Sequence, residues 1–177
     1  MGLDLSLHIL DSITDFVNGR TCEDDSLWED INKLENVCYG RKTWGIYYLL
    51  RDRENPLFED HDSLYKVTKE TWDNFISAVS SAAGNIEDIR HAICLVNSWE
   101  YSEPPYDNVS WTEDQDLPQE VYEAYHIVEA FCNSIQDVNP TLGYAWDARA
   151  ILDWYEANDK IQAAFNAGKE LLLVASY

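Results

Sequence analysis

Hydrophobic and polar residues alternate at the start of the chain: Leu3, Leu5, Leu7 and Ile9 are separated by Asp4, Ser6 and His8. A period of two predicts a half-buried strand, although Leu3, Leu7, Leu10 and Val17 also fall on one helical face. Further on the period changes. Ser26 with Glu29 forms a capping-box pattern opening a helix over 27–37. Aromatic and aliphatic residues at helical spacing predict a second helix over 41–51, with Gly40 supplying the turn before it. Residues 55–62 read as a loop and 63–67 as a short strand ending at Thr68, the expected cap of a helix over 69–83 that Gly84 closes.

Asn85, with Asp88 three residues on, opens a helix over 86–101 whose buried stripe is Ile86, Ile89, Ile93, Val96 and Trp99. The polar stretch 102–116 is a surface loop. Pro118 lies in a helix start, and Val121, Tyr125, Val128, Cys132 and Ile135 then give the clearest amphipathic pattern in the chain, stopping before Asn139-Pro140. Residues 144–176 read as one long helix or one broken helix, with Gly168 as the break. The expected fold is mainly α: a single-domain helical bundle over 1–177, with about six helices and one or two short strands near the N-terminus.

Composition supports a folded chain. Hydrophobic residues make up 46% and aromatics 13% of 177 residues, unlike an acidic disordered tail. Cys22, Cys38, Cys94 and Cys132 form no C-x-x-C pair and read as buried or indifferent thiols in a reducing cytoplasm. The first ten residues lack the basic region of a signal peptide, and no apolar run is long enough to span a bilayer. The opening MGLDLS fits the pattern for N-terminal acylation through Ser6, but without polybasic support.

Candidate catalytic chemistry is thin. Two carboxylate-x-x-His sets, Asp88/His91 and Glu123/His126, have the spacing of di-iron bundle ligands. At about 100° per residue, however, each histidine points about 150° from its helix's apolar stripe. Solvated helix histidines are the better account. Nucleophile elbow, Walker loop and dinucleotide glycine motif are all lacking. Cys94 lies one turn from His91, with Arg90 as its only basic neighbour in sequence, so an inert thiol is the plainer reading. Most of the seven tryptophans fall in predicted helices, as core residues do; Trp111, in the acidic loop, reads as a partner-contact anchor. The expectation is a non-enzymatic protein without metal or cofactor.

Charge carries the strongest signal. Twelve cations against 33 acids leave a net charge of −21, where a magnitude of about 2 to 8 suffices for solubility. The excess is also regional. From residue 91 to 147 the chain holds Glu100, Glu103, Asp107, Glu113, Asp114, Asp116, Glu120, Glu123, Glu129, Asp137 and Asp147, with no Lys or Arg. Intrahelical ion pairs cannot offset that repulsion. Direct binding to nucleic acid or an anionic membrane is disfavoured, and a basic partner is favoured. Duplex DNA carries one charge per about 1.7 Å, so 21 charges correspond to about 36 Å of axis. A compact chain of this length is about 40 Å across. The expected partner-binding residues are Glu113, Asp114, Asp116, Glu120 and Glu123, with Glu100, Glu103 and Asp107 as rim and Trp111 as anchor.

Three stretches, MGLDL, CYGRKTWGIYYLL and DSLYKVTKETWDNFI, covering roughly residues 1 to 80, resemble in order and spacing an uncharacterised family of small phage and prophage proteins. The chain departs from that family's pattern at Gly40, where the family has Trp, and after Ile46, where it has His. The resemblance implies a phage gene expressed in bacterial cytoplasm and transfers no activity. In such a setting, strongly acidic proteins resemble, as a class, anti-restriction and anti-CRISPR DNA mimics. The function expected is therefore inhibition of a basic, nucleic-acid-binding host defence protein. The rival expectation is a phage protein engaging a host regulator, polymerase or repair enzyme through an ordinary helical face; a carboxylate/His metalloenzyme comes last.

Overall fold

A computed structural model describes residues 3–41, 44–51, 57–58, 63–100, 118–138 and 148–176. In chain order the elements are β1 (Asp4–Leu10), α1 (Ile13–Val17), α2 (Asp25–Ile31), β2 (Cys38–Arg41), α3 (Trp44–Leu50) and β3 (Leu64–Val67). They continue with α4 (Lys69–Ala82), α5 (Ile86–Glu100), α6 (Gln119–Val138), α7 (Ala148–Glu156), α8 (Asn158–Asn166) and β4 (Glu170–Ser176). Several boundaries have visible causes. Thr68 accepts a hydrogen bond from the Thr71 N–H at 3.1 Å and starts α4. Asn85 accepts from the Glu87 N–H at the head of α5. Gly168, at φ +74°, closes α8 in a Schellman motif: Lys169 donates to the Ala164 carbonyl and Gly168 to that of Phe165, both at 3.0 Å.

The four strands form an antiparallel sheet in the order β2-β1-β4-β3. Strand β1 pairs with β4 along its full length, from Asp4 opposite Ser176 to Leu10 opposite Glu170. Both faces of the sheet are covered. On one, Leu5, Leu7, Tyr65, Val67, Leu171, Leu173 and Ala175 pack against a core drawn from α3 to α8, including Tyr47, Trp72, Phe75, Ile93, Ile135 and Trp154. On the other, Leu64, Leu172 and Val174 meet Ile13, Leu27 and Ile31 from α1 and α2. The result is a mixed α/β architecture with helices on either side of the sheet.

That architecture corrects the expected helical bundle. Among the described residues there are eight helices and four strands, and the strands are spread through the chain rather than confined to its start. The predicted strands at 3–9 and 63–67 exist as β1 and β3, but two strands went unread. Gly40, taken as a turn, lies within β2 with its partner Leu5 across the ladder. Residues 170–176, taken as the end of a long helix, are β4. The physical reason is burial: a strand covered on both faces shows a continuous apolar run, which periodicity cannot distinguish from a buried helix. The helix predicted over 27–37 begins earlier and stops at Ile31. Its N-cap position is Asp24, whose carboxylate accepts from the Thr21 N–H instead of capping the helix.

Candidate functional site

The expected acidic surface falls partly outside the described residues. Glu103, Asp107, Trp111, Glu113, Asp114 and Asp116 lie there, and Glu100 is described only as the last residue of α5. Glu120 and Glu123 are placed by α6, both exposed. Helix α6 buries Val121, Ala124, Phe131, Cys132 and Ile135, so the 3.6-residue period turns Glu120, Glu123, His126, Ala130 and Asp137 outward. The first two acids sit near the positive end of the helix dipole, which lowers the cost of their charge. Glu123 accepts a hydrogen bond from the Gln119 side-chain amide at 2.8 Å. Glu129 faces His126, 3.2 Å from its Nδ1.

The described cations are committed elsewhere. Arg20 and Lys33 pair with Asp30, Arg41 with Asp4, Lys66 with Glu170 and Lys69 with Asp73. Arg90 pairs with Glu156, Arg149 with Asp153, Lys160 with Glu35 and Lys169 with Asp11. Arg51 lies over the rings of Tyr47 and Tyr48, at 4.6 and 4.4 Å from their centroids. Thus, among the described residues, no Lys or Arg pairs with a carboxylate of α6. The carboxyls of Asp30, Glu35 and Asp73 are held below the usual range, chiefly by hydrogen bonds from Lys33, Lys160 and Lys69. The described Lys and Arg thus meet Asp4, Asp11, Asp30, Glu35, Asp73, Asp153, Glu156 and Glu170, while Glu123 and Glu129 of α6 have only Gln119 and His126 as side-chain partners among the described residues.

Groups suited to catalysis are dispersed. His91 and His126 are both exposed. Asp88, the supposed partner of His91, accepts from Asn85, and His126 turns to Glu129 rather than Glu123. Among the described residues no three His, Cys, Asp or Glu side chains gather as metal ligands. Burial pushes the Cys38 thiol up to about 12, which removes it as a nucleophile. Cys94 is exposed and lines a cleft of about 310 Å³ between α5 and α7 with Arg90, Arg149, Asp153 and Glu156. In that cleft each arginine already faces a carboxylate.

Sequence reasoning missed two features. His8 is buried in β1, its Nδ1 3.1 Å from the Glu35 carbonyl and its Nε2 2.8 Å from the Ser6 hydroxyl. Its position on the polar side of an alternating strand gave no sign that α1 and α2 cover that side. The second is Ile127, 42% exposed on the outer half of α6; an aliphatic residue off the buried stripe was the available signal. No helix among the described residues is long and apolar enough to cross a membrane. The chain matches no protein-family model, and neither the curated proteins nor the solved structures compared with it include a match.

Proposed function

We propose that this protein acts by binding, as a non-enzymatic inhibitor whose acidic surface occupies the nucleic-acid-binding groove of a basic protein. One observation carries the reading: the cations of the described residues are engaged with other elements, while the carboxylates of α6 meet no Lys or Arg among the described residues. Residues 100–116 extend the same charge in sequence, with Glu100, Glu103, Asp107, Glu113, Asp114 and Asp116. Carboxylates on adjacent helical turns stand about 5 to 6 Å apart, comparable with neighbouring phosphates. In the phage setting that the sequence resemblance implies, the target is a host nuclease, restriction enzyme or CRISPR effector in bacterial cytoplasm.

Affinity capture from bacterial lysate at about 50 mM salt, repeated at about 200 mM, tests this. Mimicry requires that the captured protein be a nucleic-acid binder, that duplex DNA or RNA compete it off, and that retention fall steeply with salt. Retention indifferent to salt, or unaffected by competing nucleic acid, sinks the reading. Reversal of Glu113, Asp114 and Asp116 to Lys together should abolish capture. The second reading, an ordinary helical interface, is favoured by one specific feature, the exposed Tyr122 and Ile127 on α6. It requires that capture survive the triple reversal.

A further inference from the structure

The outer half of α6 borders a groove of about 300 Å³, closed on its other side by the turn between α4 and α5. Ile127, Ala130 and Phe131 form one wall, and Ala82, Gly84 and Ile89 the other. A Cβ built at Gly84 would meet nothing within 4 Å, so the turn leaves free space beside it. Three polar residues, Asn85 and Asp88 at the start of α5 and Ser134 of α6, complete the lining. Glu123 lies one turn, and Glu120 two turns, before Ile127 on the same side of α6. The cation nearest in sequence, Arg90, is drawn toward α7 by Glu156. An apolar slot is thereby set within an anionic rim.

We infer that this groove receives an apolar side chain from a basic amphipathic helix of the partner, whose flanking Lys or Arg residues meet Asp88, Glu120 and Glu123. Charge complementarity selects the occupant: with a net charge of −21, a second copy of the chain would bring like charge to an anionic rim. A helix laid in a groove supplies apolar anchors on one side and cations on the other. Such a contact combines electrostatic steering with one desolvated anchor, the arrangement in which few residues dominate affinity. The inference rests on the proposed binding of a basic partner and adds to it an apolar determinant.

The test uses the full chain and two synthetic helical peptides of equal charge, one with lysines and leucines on opposite faces, the other with serine replacing each leucine. Binding is followed at about 150 mM salt through the methyl resonances of Ile127 and Ile89. The leucine peptide should bind at least tenfold more tightly than the serine peptide and shift both methyls. Ala130→Trp, which fills the groove, and Ile127→Ser should each remove that advantage while leaving the circular dichroism spectrum and melting transition intact. Equal binding of both peptides without methyl shifts overturns the groove while leaving charge recognition standing. Binding of neither peptide overturns both at this surface. An advantage for leucine that survives in both variants places the apolar contact elsewhere and overturns the assignment. Concentration-dependent dimerisation lost in Ile127→Ser would identify a second copy as the occupant and overturn it too.

Discussion

His8 shows how one buried residue ties two layers together. Its neutral form satisfies both contacts, with Nδ1–H donating to the Glu35 carbonyl and Nε2 accepting from the Ser6 hydroxyl. Burial lowers its pKa, only partly offset by the bond to Glu35. The unfolded chain therefore binds a proton that the folded chain resists, and stability must fall as pH drops below about 6.5. A single proton limits the slope to about 1.4 kcal/mol per pH unit. Chemical denaturation between pH 7.5 and 5.5 should show this loss in the native chain and a flatter profile in His8→Gln. An equally steep profile in the variant would assign the proton to another group. Glu170 acts in the same sense but in a lower window. Bonds from Lys66 and from the Ile13 N–H hold its carboxyl below the usual range, so its contribution is present at neutral pH and lost only under more acidic conditions.

At the level of elements, β4 decides the architecture. Its run Leu171, Leu172, Leu173, Val174 and Ala175 is buried throughout, odd positions facing the large helical layer and even positions facing α1 and α2. Leu172→Ala and Leu173→Ala should therefore both be expensive, each losing about 2 to 5 kcal/mol in urea unfolding. A half-exposed strand would make one of the two nearly free. This is also where the chain was hardest to read. Helices α4, α5 and α6 were legible because caps at Thr68 and Asn85, Pro118 before α6 and a 3.6-residue apolar period all agreed with the fold. Strand β4 carries no alternation because nothing beside it is solvent, and β2 is four residues long with glycine inside it. Helix α1, five residues long, was invisible for a different reason: the carboxylate of Glu170, 157 positions away, accepts a hydrogen bond from its first N–H. Of the candidate site, the charge was plain from composition. The groove beside Ile127 was not, because it requires knowing that α4 and α5 turn next to α6.

Across the whole molecule, the charge distribution sets a cost that stability and binding should resolve differently. A net charge of −21 opposes compaction, and monovalent salt screens that repulsion over about 10 Å at 0.1 M. The melting temperature should rise with sodium chloride, although the same salt weakens any association with a basic partner. Asp137 separates the two effects at a single residue. It lies exposed in the last turn of α6, where the helix dipole favours a cation and no basic residue is present. Asp137→Lys should stabilise the fold by about 0.3 to 1 kcal/mol through the dipole, with a further gain from reduced self-repulsion. If the open carboxylates of α6 serve a partner, that better-folded variant should bind the captured protein more weakly than the native chain, and the loss should shrink as salt rises. A variant that is more stable and binds as well as the native chain would remove Asp137 from the interface. Loss of stability instead would show that the electrostatic cost ascribed to α6 is offset by a contact of Asp137 itself. The two measurements together, thermal unfolding and affinity across the same salt series, separate a surface charged for recognition from one whose charge is incidental, because only the former trades fold stability against binding at the same carboxylate.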